Sequence, residues 1–131
     1  MLEDALVLGI RDYIKKCGFS RVHLGLSGGL DSALVAYLAV RAAGASNVTC
    51  FNMPSRFSSQ GSKDDSACLA VNLGCRYETL PIEECYSAFL NTLEAVFENR
   101  PFDTAEENIQ SRIRGVLLMA FANKFNSMLL N

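Results

Sequence analysis

Arg21-Val22-His23-Leu24-Gly25-Leu26-Ser27-Gly28-Gly29-Leu30-Asp31-Ser32 is the stretch on which the reading of this 131-residue chain turns. Val22 to Leu26 is mostly apolar without alternation, as in a strand covered on both faces. Ser27 stops the strand and Gly28-Gly29 supply a turn. Leu30, Ala33, Leu34, Tyr37 and Leu38 then recur at i, i+3, i+4 spacing, which predicts a helix from Leu30 to Ala43 closed by Gly44. A strand, a glycine turn and a helix N-terminus together make an anion site, because free N–H groups and the helix dipole both favour negative charge. Ser27 and Ser32 add hydroxyls, and Asp31 adds a carboxylate. A carboxylate beside phosphate is reasonable when a divalent cation stands between them. The stretch therefore predicts a site for nucleotide phosphates.

The rest of the chain alternates around this unit. Residues 2–16 form an amphipathic pattern ending at Cys17-Gly18, with Gly18 suited to the position after a helix. Asn47 to Met53, rich in Val, Thr and Phe, predicts a second strand. The loop Met53-Pro54-Ser55-Arg56-Phe57-Ser58-Ser59-Gln60-Gly61 follows it. In open α/β sheets such a loop lies where ligands bind, so Arg56 and Ser58 either face the nucleotide or sit in a plain surface loop. Ser62-Lys63-Asp64-Asp65 reads as a capping box opening a third helix, with the acidic pair in its first turn. Arg76 to Leu80 predicts a third strand, Ile82 to Phe97 a helix, and Thr104-Ala105-Glu106-Glu107 a second capping box. In that box Glu107 is the capping carboxylate, and the helix runs to about Asn123. Ser127 to Asn131 completes the series as a fourth strand. This order predicts an α/β fold: a doubly wound parallel sheet with helices on both faces, all within one domain spanning 1–131.

Composition narrows the function classes. Half the residues are apolar and 20% are charged, an ordinary globular balance. The formal net charge of −2 gives no long-range attraction to nucleic acid or anionic membrane, so any anion site must be local. No apolar run is long enough to span a bilayer, and no signal peptide opens the chain. Cys17, Cys50, Cys68, Cys75 and Cys85 show no C-x-x-C spacing and fit small, reduced, buried thiols of a cytoplasmic protein. His23, alone in the first strand, reads as a structural histidine.

The loop is not a Walker A motif, since no Gly-Lys-Ser/Thr follows the glycines, and it does not match G-x-G-x-x-G. Ser27-Gly28-Gly29-Leu30-Asp31-Ser32 instead resembles the pyrophosphate loop of N-type ATP pyrophosphatases, whose fold is a Rossmann-like adenine nucleotide alpha hydrolase type. Met53-Pro54-Ser55-Arg56-Phe57-Ser58-Ser59 and Glu107-Asn108-Ile109-Gln110-Ser111-Arg112-Ile113-Arg114-Gly115 are similar to NAD synthetases, particularly the synthetase domain of glutamine-dependent forms.

The resemblance implies ATP-dependent amidation of deamido-NAD to NAD through an acyl-adenylate, releasing AMP and pyrophosphate. Ammonia or glutamine would be the nitrogen donor. It implies that Gly25, Leu26, Ser27, Gly28, Gly29, Leu30, Asp31 and Ser32 bind ATP, that Asp31 carries Mg2+, and that Asn108 and Arg112 contact deamido-NAD. At about 100° per residue, Asn108, Ser111 and Arg112 share one helix face. Arg114 falls away toward Glu107 and Gln110, and reads as structural or interface-forming. A homodimer or higher oligomer of the full-length protein is also implied. Family synthetases continue past the fourth strand into further ATP and substrate contacts, so the expectation is a partial domain, cut after that strand, with little turnover of its own. Two alternatives remain: a nucleotide-binding module without catalysis, and an N-type ATP pyrophosphatase with a different acceptor.

Overall fold

The computed structural model describes residues 1–131. Its elements are α1 (Leu2–Lys16), β1 (Val22–Gly25), α2 (Leu30–Ala43), β2 (Val48–Asn52), α3 (Gln60–Leu73), β3 (Arg76–Thr79), α4 (Glu83–Phe97), α5 (Thr104–Phe125) and β4 (Met128–Leu129). The strands form one sheet in the order β3-β2-β1-β4. All its pairings are parallel, with Val22 opposite both Val48 and Met128, and Cys50 opposite Tyr77. This is the doubly wound α/β sheet that the alternating pattern predicts.

Alternation along the strands sorts the core into two layers. Val22 and Leu24 of β1 and Val48 and Cys50 of β2 meet Ile14 of α1 and Ala36 and Ala39 of α2, with Leu69 and Leu73 of α3 packed alongside. On the opposite face, Phe51 and Met53 meet Ile82, Tyr86 of α4 and Ile113 of α5. Both central strands are therefore covered on both sides, which explains their mostly apolar character.

Two helix starts differ from the sequence reading. α3 begins at Gln60, and its N-cap is Ser59, whose Oγ accepts the Ser62 N–H at 3.1 Å. Asp64 and Asp65 therefore lie past the first turn. α5 is capped by Asp103, with Glu106 rather than Glu107 closing the box: Ala105 N–H donates to Asp103 Oδ1, and Asp103 N–H to Glu106 Oε2, both at 2.9 Å. Asp103-x-x-Glu106 and Thr104-x-x-Glu107 satisfy the same pattern one residue apart. Asp103 is in extended conformation and takes the cap. The thiols also divide differently: Cys50 is buried, Cys75 half-buried, and Cys17, Cys68 and Cys85 are exposed. Burial and the neighbouring Cys75 push the Cys50 thiol up to about 12.

His23 is the structural residue its position suggests. It is fully buried, with Nε2 2.8 Å from the Leu118 carbonyl and Nδ1 2.8 Å from Ser127 Oγ. A carbonyl only accepts, so Nε2 carries the proton and the Ser127 hydroxyl donates to Nδ1 in the neutral ring. This one side chain joins β1 to α5 and to the residue that leads into β4. Burial lowers its pKa from 6.5. Between 6.5 and that lower value the unfolded chain binds the additional proton, so stability rises with pH and is lost as pH falls below 6.5. Denaturant unfolding should therefore show a lower midpoint at pH 5.5 than at 7.5. The exposed carboxylates of Glu3 and Glu83, held low by hydrogen bonds to Tyr37 and to Arg56 respectively, act only below their ordinary value of 4.5. His23→Gln should cost about 1–3 kcal/mol at pH 7.5 and flatten the dependence between 5.5 and 7.5.

Candidate functional site

A cavity of about 460 Å³ opens where β1 and β2 end. This is the position at which parallel α/β sheets bind ligands. Its wall includes Gly25, Leu26, Ser27, Asp31 and Ser32 from the glycine turn and its flanks, Asn52 and Met53 from the end of β2, Ser58, Ser62 and Lys63 around the start of α3, and Arg114 and Leu118 from α5. Leu130 and Asn131 complete one side.

The turn is shaped by a closed set of hydrogen bonds. Ser27 N–H donates to Ser32 Oγ at 3.2 Å, and Gly29 N–H to Ser27 Oγ at 3.3 Å. Ser32 Oγ donates to the Gly29 carbonyl at 3.2 Å and lies 3.0 Å from Ser27 Oγ. A hydroxyl has one proton, so Ser27 must donate to Ser32. The two serines thus fix the turn. Backbone groups offer further donors toward the cavity. Gly29 caps α2 without a side chain, and the first-turn N–H groups of Leu30, Asp31 and Ser32 have no acceptor inside the helix. An uncapped helix start facing a cavity favours an anion.

Gly28 has φ +85°, and a Cβ there would lie 2.8 Å from the Ser62 carbonyl oxygen and 2.9 Å from Ser62 Cα. Only glycine lets the turn lie against α3. Gly25 serves a milder version of the same purpose, since a Cβ would come 3.2 Å from Met53 Cε.

The predicted residues separate into groups. Gly25, Leu26, Ser27, Asp31 and Ser32 reach the cavity wall, while Gly28 and Gly29 shape the turn and the Leu30 side chain is 83% exposed. Asn108 and Arg112 do not line this cavity. Arg112 is exposed on α5, and Asn108 stands one turn before it. Ser58 joins the wall. Arg56 turns away: its Nε donates to Glu83 Oε1 at 2.5 Å and its Nη2 to Ser87 Oγ at 3.0 Å, with the guanidinium over the Tyr86 ring. Arg56 thus ties the loop to α4.

Asn52, Lys63 and Arg114 carry no ligand signal in the sequence pattern read above. Arg114 does stand beside Ile113, Leu117 and Leu118, so it borders the apolar stripe that the helix buries. Lys63 and Arg114 are the cavity's cations and Asp31 is its carboxylate; neither cation forms an ion pair. No three His, Cys, Asp or Glu side chains cluster as a metal site anywhere in the chain. A single carboxylate beside an anion site suits a hard cation that takes its other ligands from phosphate and water.

A sequence model of the family described as NAD synthase matches residues 2–131. The glutamine-dependent NAD(+) synthetase of Rhodobacter capsulatus is 57% identical over 126 residues, which cover 96% of this chain and 23% of that protein. The structure of glutamine-dependent NAD+ synthetase from Acinetobacter baumannii in complex with ADP superposes with a TM-score of 0.94 at 42% identity, over 97% of this chain and 24% of the other. The NH3-dependent NAD synthetase of Campylobacter jejuni, in complex with nitrate, gives 0.86 at 30% identity, over 97% of this chain and 53% of the other. The chain thus spans about a quarter of the length of the glutamine-dependent relatives it matches.

The two turn glycines should respond unequally to a methyl group. Gly28→Ala meets both a left-handed φ and the α3 backbone, and should cost about 1–3 kcal/mol. Gly29 is extended, and its nearest atom would be Ser27 Oγ at 3.4 Å. Gly29→Ala should cost less than about 1 kcal/mol. Urea midpoints of the two variants check the difference; equal midpoints would contradict the close approach of the turn to α3.

Proposed function

Because the chain belongs to the NAD synthase family, we propose that it is the ATP-phosphate-binding part of an enzyme that amidates deamido-NAD to NAD. The observation that carries this reading is the uncapped start of α2 opening onto the cavity, flanked by the self-bonded Ser27–Ser32 turn. The ADP complex of the 42% identical Acinetobacter baumannii structure supports a nucleotide as the ligand.

In the proposed reaction an oxygen of the nicotinate carboxylate attacks the α-phosphorus of ATP. The α–β phosphoanhydride bond breaks, pyrophosphate leaves and an acyl-adenylate forms. Ammonia then attacks the acyl carbon, the bond to AMP breaks, and NAD forms as the nitrogen loses a proton. Two anions must meet in the first step, so the protein's contribution is positioning and charge neutralisation. The N–H groups at the start of α2 bind the phosphates that leave. Gly28 keeps that helix start against α3, and the serine hydroxyls hold the turn in shape.

Asp31 would hold Mg2+, which when bound offsets phosphate charge. Asn108 and Arg112 would meet deamido-NAD outside this cavity, along α5. Relatives using glutamine make it the proposed nitrogen source of the whole enzyme. On its own, the 131-residue chain is proposed to bind nucleotide with little NAD formation.

Calorimetric titration of ATP into the chain should be saturable, and tighter with Mg2+ than without. Asp31→Asn should weaken Mg-ATP binding by about 10-fold while leaving metal-free ATP binding no weaker, since the variant removes a negative charge beside the phosphates. Absence of saturable ATP binding would overturn the reading, and ATP binding indifferent to deamido-NAD would favour a binding module. Val116, Met119 and Phe125 are exposed on α5, and a symmetric dimer that covers them is proposed. Light scattering at high concentration should give twice the monomer mass of 14.3 kDa, and a monomer would contradict it.

A further inference from the structure

Arg114 is a partly buried guanidinium without a counter-ion. Its Nε–H donates to the Met53 carbonyl at 3.0 Å, and no carboxylate lies within ion-pair distance. Burial lowers its pKa, although a guanidinium keeps its charge in proteins. A desolvated, unpaired cation is costly unless an anion meets it. Arg114 stands in a cavity wall, and with Nε held by Met53 its four Nη hydrogens form no bond within the chain. A guanidinium fork of this kind matches two oxygens of one phosphate.

The other cation of the cavity, Lys63, stands on a different element, in the first turns of α3. Lys63 follows Ser62, whose backbone touches the glycine turn at Gly28. Arg114 instead bonds to Met53, whose side chain closes over Gly25 together with Leu118. A polyphosphate whose terminal groups lie at the glycine turn would bring its nucleoside-proximal phosphate toward Arg114.

We propose that Arg114 binds the α-phosphate of the nucleotide, while Lys63 and the start of α2 hold the pyrophosphate end. This rests on the reading that ATP phosphates occupy the cavity. Arg114 then neutralises oxygens on the phosphorus that a carboxylate must approach. The competing role is structural, with Arg114 doing no more than tying α5 to the end of β2.

Three probes separate the two ends: AMP carries only the α-phosphate, inorganic pyrophosphate stands for the leaving end, and ATP carries both. Each is titrated calorimetrically into the 131-residue chain and its Arg114→Gln, Arg114→Lys and Lys63→Gln variants. Arg114→Gln should weaken AMP and ATP by about 10-fold or more and leave pyrophosphate near the wild-type value. Lys63→Gln should weaken pyrophosphate and ATP and spare AMP. Arg114→Lys, which keeps the charge but loses the fork, should fall between wild type and Arg114→Gln for AMP.

Should the Arg114 variants fail to fold, arginine-selective dicarbonyl labelling of the wild-type chain, read by mass spectrometry, decides the matter. AMP should protect Arg114 and pyrophosphate should not. Unchanged AMP binding in folded Arg114→Gln, or no protection by AMP, overturns the inference and leaves ATP binding standing. Equal loss for AMP and pyrophosphate removes the α-phosphate assignment. A wild-type chain that binds none of the three probes overturns the ATP reading, and the inference with it.

Discussion

No side-chain atom fits between Gly28 and α3, and the geometry of the cavity depends on that contact. The Ser62 carbonyl oxygen would be 2.8 Å from any Cβ at residue 28. The turn's positive φ and the proximity of α3 are therefore two demands met by one glycine. Their joint effect is to set Ser62 and Lys63 beside the uncapped start of α2, so that a cation and free N–H groups share one cavity. A longer side chain at residue 28 would separate them without altering any residue that faces the ligand.

The opposite wall is positioned by polar contacts to carbonyls. His23 donates to Leu118 and Arg114 to Met53, so α5 is pinned to β1 within the strand and to β2 where it ends. Gly25 leaves room for Met53 and Leu118 to close the floor. These contacts differ in chemical character. His23 is buried and satisfied at both nitrogens, which suits it to hold the fold. Arg114 is satisfied only at Nε, which suits it to receive something more.

The parallel sheet, the layers and the turn were legible because each rests on local pattern: mostly apolar central strands, helical stripes, and glycines between strand and helix. The role of His23 was legible from its place in a buried strand. Helix starts were less so, since Ser59 and Ser62, or Asp103 and Thr104, offer equivalent caps one turn or one residue apart. Arg56 and Arg114 were the least legible. One is a loop arginine captured by Glu83 across 27 residues, and the other is a helix arginine turned toward Met53 across 61. Spacing along one helix shows which residues share a face, but not which face a distant strand will cover. The hydrogen bonds that join Ser27 and Ser32 to each other and to the turn's backbone were not legible either, because spacing does not show them.

Nucleotide phosphates are proposed to bind at the start of α2 and in its surrounding cavity. An amide-resolved nuclear magnetic resonance titration of the 131-residue chain with ATP tests it most directly. Saturable shifts are expected at the Leu30, Asp31 and Ser32 amides, accompanied by the Arg114 Nε–H signal. Saturable shifts confined to surfaces away from the end of β1, with those amides unmoved, would contradict it.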